Sequence, residues 1–360
     1  MQKNFNDVEL GLAGPKQNYW LLRHFAAFCV LLVHSFALSN KPPHDLLRVF
    51  PALGGIAGLG VMVFFIISGY LITQSWHRHR SVAVFVWHRC LRIMPGMWGC
   101  MVFALLLGWM VSVLPTAAYW SHPQTANYVV GNLLLRNVLD LPGVFQGNPL
   151  MAGVTGTFWT LPIELTCYLG VLLLGSLGVL KSPRWSILLG IAALLAATLW
   201  GSALNLFGAS ILSEALPRYY AAFICGMLLY QGRVWLPLGW MLPAVLVLVA
   251  SVALWYTPPS SLFWPWLDLL RVATLAWFLI SAVMAFSPVW PEPEGWPDLS
   301  YGVYLYGFPI QQAVVHFYPD WNGWAVLAAS GVLSVLAALI SWYAIESKAL
   351  RWKNALRTHR

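Results

Sequence analysis

Apolar residues along this chain form long runs that are separated by short polar segments. Each run is about 20 residues long, enough for an α-helix to cross a hydrocarbon core of about 30 Å. The stretch 130–155 is apolar but too broken to cross. The pattern predicts an all-α, polytopic transmembrane helical bundle with about ten spans and no internal repeat. The predicted spans are 20–39, 55–74, 92–113, 156–178, 186–204, 216–232, 236–255, 266–287, 300–318 and 323–344.

The composition also indicates a membrane protein. Hydrophobic residues make up 59% of the chain and charged residues 9%, whereas a soluble domain has about 25% charged residues. The apolar excess is therefore expected to face lipid. The longest connection, 114–155, is too short for a separate soluble domain. We expect a single membrane domain over 1–360, with a cytoplasmic N-terminal tail at 1–18, a basic cytoplasmic C-terminal tail at 346–360 and no cleaved secretory signal.

The net charge of +8 is explained by topology rather than by a nucleic-acid partner, because the basic residues lie at the ends of the apolar runs. With the N-terminus in the cytoplasm, fifteen of the 20 Lys and Arg residues fall on the inside. This bias predicts an even number of spans and two cytoplasmic termini. The five cysteines form no CxxC pair, and the basic loop 77–80 has no carboxylate or cysteine partners, so no metal site is expected.

His34 lies about five residues inside the outer end of the first predicted span. An ionisable group at this depth is costly, which favours a functional role over that of a hydrogen-bonded packing residue. Arg23 precedes His34 by eleven positions on the same helix face, about 16 Å away at 1.5 Å per residue. Taken alone, Arg23 is equally a positive-inside anchor.

Glu164 lies in the fourth predicted span, at a depth that hydropathy makes similar to that of His34. A carboxylate there needs a partner from another helix. Two functional roles are open: Glu164 orients His34 by a hydrogen bond, or it contacts a substrate. Pro162 predicts a local kink whose released backbone groups can line a cavity.

Three further groups have both a functional and a structural interpretation. Arg89 and Arg92 share a helix face, where they suit phosphate groups or act as snorkelling anchors. Ser68 and Gly69 permit close approach by another backbone or by a thin ligand. The pairs Asp268–Arg271 and Glu214–Arg218 have helical spacing and can simply neutralise each other.

These residues, in this order, resemble the acyltransferase-3 family of bacterial membrane O-acyltransferases over nearly the whole chain. The motifs that carry the resemblance are Arg23-x10-His34, FF-x-x-SG at Phe64 to Gly69, R-x-x-R with Pro95 at Arg89 and Arg92, W-x-L-x-x-E at Trp159 to Glu164, and LSYGVYLYGFPIQQ at Leu299 to Gln312. The chain departs from the family pattern at Gly307, where many members have a histidine. It also has no C-terminal hydrolase-like domain of the kind that some relatives carry.

The resemblance implies acetyl-CoA as acyl donor, a glycan or lipid-linked sugar as acceptor, and a bacterial inner-membrane location. His34 then acts as general base and Glu164 as its partner. The residues assigned to the donor are Arg23, Arg89, Arg92, Ser68, Gly69 and Tyr301. Those assigned to the acceptor are Asp268, Arg271, Gln311 and Gln312. The expected partners of the enzyme are polysaccharide-assembly proteins and membrane lipid. The alternative function is a proton-coupled transporter of a glycan or small solute.

Overall fold

The computed structural model describes residues 18–39, 55–150, 153–206, 211–237, 239–258, 260–291 and 293–354. Within these ranges the regular structure is helical and no β-strand is present. The ten predicted apolar segments each coincide with a helix. These helices are α1 Tyr19–Leu38, α2 Gly55–His79, α3 Val82–Val111, α6 Thr160–Ser176, α7 Pro183–Leu206, α8 Ile211–Gly232, α9 Met241–Tyr256, α10 Trp264–Phe286, α11 Ser300–Phe317 and α12 Gly323–Ser341.

Two short helices, α4 Thr116–Ser121 and α5 Pro123–Leu133, occupy the predicted connection after α3. Pro123 begins α5, where a proline costs no helical hydrogen bond, and the His122 side chain accepts from the Gln124 backbone N–H as a cap. Past α5, the described residues up to α6 are irregular, as the broken pattern of 130–155 predicts.

The two largest extensions beyond the predicted bounds are at α3 and α12. α3 begins at Val82, ten residues before the predicted start at 92, so Arg89 and Arg92 both lie within a helix. At the other end of the chain, α12 continues through a π-helical turn, Trp342–Glu346, into α13, Ser347–Arg351. Glu346, the first residue of the predicted tail, is buried in this turn.

Five helical segments are long and apolar enough to cross a membrane, in agreement with a membrane helical bundle. They are Tyr19–Leu38, Gly58–His79, Val82–Val111, Trp264–Phe286 and Gly323–Arg351. Shorter apolar helices occur at Thr160–Ser176, Pro183–Ala196 and Met241–Tyr256. The exposed side chains of these helices are mostly Leu, Val, Ile and Trp, as expected for surfaces in contact with lipid.

The chain divides into two compact units. One comprises the described parts of Met1–Ala26, Phe50–Phe85 and Leu165–Gly295, and the other those of Ala27–Val49, Val86–Glu164 and Trp296–Arg360. The division falls within α1, α3 and α6, so sequence neighbours on these helices belong to different units.

In the first unit, α2 and α8 pack with their backbones in contact at two glycines. A Cβ atom added at Gly69 would lie 2.0 Å from the Phe223 carbonyl oxygen, and one added at Gly226 would lie 2.1 Å from that of Ile66. Small residues permit such close helix approach. Gly69 was predicted to line the donor site, but its open face is filled by the α8 backbone, so the structure gives it a packing role instead.

In the second unit, α11 is the central helix. Its buried residues include Gly302, which packs against Ala338 of α12, and Phe308, which packs against Gly156. Tyr304 Oη lies 2.9 Å from Thr160 Oγ1 at the start of α6. Since 156 is opposite 308 and 160 is opposite 304, the chain runs antiparallel to α11 here.

The α2–α8 crossing can be tested with a single methyl group. We expect Gly226→Ala to destabilise the protein by about 1–3 kcal/mol or more, because the new methyl forces two backbones apart. Tryptophan fluorescence during thermal unfolding in detergent measures this. Gly170→Ala is the control, since a Cβ there meets no atom within 4 Å and alanine favours the helix. Equal unfolding midpoints for the two variants would contradict the close backbone contact between α2 and α8 at Gly226.

Candidate functional site

His34 projects from α1 against the edge of an aromatic ring. Its imidazole makes a T-shaped contact with Phe308 at 5.1 Å between ring centroids. The phenyl ring is itself confined, because a Cβ on Gly156 would lie 2.5 Å from its Cζ atom. Among the residues that the structure describes, no hydrogen bond involves the His34 ring.

Gln311 fixes the backbone of α1 on either side of His34. Its Nε2 donates to the Leu31 carbonyl oxygen and to Ser35 Oγ, each at 2.6 Å. Ser35 Oγ also donates to the Leu31 carbonyl oxygen at 2.9 Å. The Gln311 side chain is completely buried. It was predicted to contact the acceptor, but the structure uses it to position the helix that carries the histidine.

Gln312 has a different set of partners, all in the segment between α5 and α6. Its Oε1 accepts from Asn148 Nδ2 at 2.7 Å, and its Nε2 donates to the carbonyl oxygens of Leu150 at 3.2 Å and Gly153 at 3.1 Å. These bonds hold the irregular segment against α11. Gln312 thereby reaches the wall of a cavity.

This cavity, called here the α5–α6 cavity, has a volume of about 290 Å³. Its polar lining side chains are those of Gln124, Asp140, Gln146 and Gln312, and Phe145 supplies an aromatic wall. Three non-glycine residues in the segment, Leu135, Asn137 and Phe145, have positive φ angles of 57°, 55° and 53°. Non-glycine residues in this conformation store strain and cluster at functional sites. Apart from Gln312, the sequence analysis did not identify these residues.

Glu164 was predicted to lie at a depth similar to that of His34, but the structure places it near the level of Tyr301. The antiparallel pairing of Thr160 with Tyr304 places Glu164, one turn further along α6, opposite the start of α11. Phe308, which marks the level of His34, is seven residues further along α11, or about 10 Å. The predicted hydrogen bond between Glu164 and His34 is absent from this structure.

Arg92 and Tyr301 form one cluster at the start of α11. Arg92 Nη2 donates to Asp298 Oδ2 at 2.8 Å, and its guanidinium carbon lies 5.5 Å from the centre of the Tyr301 ring. Ser300 Oγ donates to the other oxygen of Asp298 at 2.6 Å. Tyr301 Oη donates to the carbonyl oxygen of Ile93 at 2.8 Å, which ties α11 to α3.

The other two arginines of the predicted donor site are placed by their helices. Arg89 precedes Arg92 by one turn on α3. Arg23 lies on α1, three turns before His34 on the same helix. Ser68 lies next to Gly69 on α2.

Asp268 and Arg271 are engaged in ion pairs within the first unit. Asp268 accepts from Arg218 Nε at 2.8 Å and from Arg271 Nε at 3.1 Å and Nη2. The Arg271 side chain is completely buried. The pairing predicted as the alternative to acceptor binding is therefore present. The side chain of Glu214, the other predicted partner of Arg218, lies outside the described residues.

The sequence analysis missed Glu346. Its side chain is only 3% exposed, and its carboxyl group lies beside the Arg92–Tyr301 cluster: a Cβ on Gly96 would be 3.3 Å from Glu346 Cδ and 2.7 Å from Tyr301 Cε1. Ser341 Oγ donates to Oε1 at 2.8 Å. A carboxylate at the end of the last apolar run was the available signal, but the basic residues after it indicated a tail.

The fold and the site together define the class of protein. It is a helical membrane protein whose second unit places His34, Glu164, Glu346 and Arg92, which come from other helices, along the length of α11. A family model described as an acyltransferase domain, that of acyltransferase-3, matches residues 18–343. The chain therefore belongs to the acyltransferase-3 family and is an acyltransferase enzyme.

Two curated proteins are similar to it over almost their full lengths. An O-acetyl transferase of Shigella phage Sf6 is 29% identical, with 91% of this chain and 94% of the relative covered. Nodulation protein 10 of Rhizobium leguminosarum bv. viciae is 28% identical, with 97% of each chain covered. No solved structure matches the chain. The first relative's name supports O-acyl transfer.

Hydrogen exchange can distinguish the roles of Gln311 and Gln312, the two neighbouring glutamines of α11. Gln312→Ala removes the bonds to the segment around Leu150 and Gly153, so we expect amide exchange there to rise on the order of tenfold or more. Gln311→Ala should instead accelerate exchange in α1 around Leu31 and Ser35. Mass spectrometry of peptides from the two regions provides the measurement. The same exchange pattern in both variants would show that the assigned partners are wrong.

Proposed function

We propose that this acyltransferase moves an acetyl group from acetyl-CoA to a hydroxyl of a cell-surface or exported glycan. The observation that carries the proposal is His34, an imidazole without a hydrogen-bond partner among the described residues, held inside apolar helices against Phe308. A general base must reach its substrate with an unoccupied nitrogen. The name of the phage relative, an O-acetyl transferase, supports the acetyl group.

In the proposed reaction, His34 takes the proton of the acceptor hydroxyl as its oxygen attacks the thioester carbonyl. The carbon–oxygen bond of the ester forms, the carbon–sulfur bond breaks, and the imidazolium returns its proton to the departing CoA thiolate. No other reactant is needed. The bonds from Gln311 to Leu31 and Ser35 keep α1, and with it the imidazole, in a defined orientation.

The donor's phosphates are assigned to the arginines in the first half of α3. Arg92 already presents a guanidinium beside Tyr301, and Arg89 precedes it by one turn on the same helix. Guanidinium groups bind phosphate oxygens in a fixed, bidentate geometry. Arg23, three turns before His34 on α1, is assigned to the donor by the family resemblance alone. Glu164, at the level of Tyr301, is assigned to the donor rather than to the histidine.

The acceptor is assigned to the α5–α6 cavity. Its volume of about 290 Å³ is the size of a small-ligand pocket. Asp140, Gln124 and Gln146 supply carboxylate and amide groups, which both pair with sugar hydroxyls. Gln312, at the far end of α11 from Arg92, closes the cavity wall. With cytoplasmic termini in a bacterial inner membrane, this cavity is on the outer side, where an exported glycan is available.

The histidine is tested by acetyl transfer from radiolabelled acetyl-CoA. We expect His34→Ala to lower kcat by about 10²–10⁴-fold, because a positioned general base contributes that much. His24→Ala, on the same helix, is the control and should retain activity within a few fold. Full acetylation by correctly folded His34→Ala protein would refute the assigned mechanism.

The cavity is tested through the acceptor's apparent KM. Asp140→Ala is expected to raise that KM about three- to tenfold, the effect of losing one polar contact, with the KM for acetyl-CoA unchanged. Asp320→Ala removes another exposed carboxylate and serves as the control. If Asp140→Ala changed only the KM for acetyl-CoA, the acceptor would have to bind elsewhere.

A further inference from the structure

Glu346 has a carboxylate oxygen that the described part of the chain leaves without a partner. Ser341 satisfies Oε1, but Oε2 is buried and accepts no hydrogen bond. An unpaired oxygen of a buried carboxylate is costly, on the order of several kcal/mol. The residue also lies in a π-helical turn, a distortion that occurs frequently at functional sites. Both observations indicate that Glu346 binds a ligand that is absent from the free protein.

The nearest donor groups of the protein are already used. Tyr301 Oη donates to the Ile93 carbonyl oxygen, and Ser341 Oγ to the other oxygen of Glu346. Arg92 Nη2 donates to Asp298. Among the described residues no side chain donates to Oε2, so a bound molecule with an N–H or O–H group can supply the missing hydrogen bond.

The position of Glu346 relative to Arg92 limits which ligands could contact both side chains. Gly96, which would touch both Glu346 and Tyr301 if it carried a Cβ, is four residues after Arg92, or about 6 Å along α3. A ligand that bridges the two side chains has an anionic group for the guanidinium and, about one helical turn away, an N–H for the carboxylate. In coenzyme A the diphosphate and the first amide of the pantetheine arm are separated by about this length.

We propose that Glu346 Oε2 accepts a hydrogen bond from an amide N–H of the pantetheine arm and so selects donors that contain this amide. The inference rests on the proposed function, because it takes acetyl-CoA as the donor. Arg92 recognises the phosphates and Glu346 the arm. The lack of a side chain at Gly96 leaves the space in which the arm passes between Tyr301 and Glu346.

The test compares three donors in wild-type and variant enzyme. Acetyl-CoA has phosphates and amides, S-acetylpantetheine has amides without the nucleotide phosphates, and S-acetyl-2-mercaptoethanol has neither. For Glu346→Ala we expect kcat/KM to fall about ten- to hundredfold with the first two donors, the effect of a hydrogen bond to a charged group, and to change less than twofold with the third. A loss of folded enzyme would lower all three values equally.

Three variants serve as comparisons. Glu346→Gln keeps an acceptor oxygen and should lose less activity than Glu346→Ala. Arg92→Ala should lose activity with acetyl-CoA but not with S-acetylpantetheine. Glu294→Gln removes an exposed carboxylate and should match the wild type with every donor.

The two proposals fail in distinguishable ways. If the wild-type enzyme acetylates no glycan from acetyl-CoA, the proposed function is wrong. If it does, and Glu346→Ala keeps its activity with acetyl-CoA or loses as much with the amide-free donor, the role of Glu346 is wrong while the proposed function stands.

Discussion

The second unit depends on the enclosure of α11 by protein. Fourteen of its 18 residues are buried, including two glutamines, although lipid-facing helices expose most of their side chains. Polar groups removed from water must find partners within the protein. Tyr301, Tyr304, Gln311 and Gln312 of α11 are each bonded to a different neighbour, and these bonds position α3, α6, α1 and the α5–α6 segment. One helix thereby sets the spacing between Arg92, Glu164 and His34.

Much of the helical structure follows from hydropathy alone. The ten apolar runs coincide with ten helices because each run is long enough to satisfy its own backbone hydrogen bonds. His34 could also be identified from the sequence, because burying an ionisable side chain within an apolar run costs free energy at any position in that run. The early start of α3 was not predicted because Arg89 and Arg92 lower the local hydropathy. Arginine is compatible with a helix, so α3 continues through both positions.

The partners of the site residues could not be predicted in the same way. Which residue faces Glu164 depends on the pairing of Thr160 with Tyr304, a contact between segments 144 positions apart. The adjacent glutamines look alike in sequence, yet one holds a helix and the other a loop. Gly69 likewise has the same local pattern whether a ligand or a backbone fills its open face, and only the position of α8 decides between them.

Gly307 has a consequence for how the site can vary within the family. A Cβ at this position would lie 2.8 Å from Leu31 Cδ1, so α1 occupies the space that a larger residue would need. A larger side chain at position 307, such as the histidine that many members carry, therefore requires the Leu31 side chain to move. Its absence allows the tighter contact between α11 and α1 that this chain has, so the presence of a second imidazole in α11 and the closeness of the two helices are linked through Leu31.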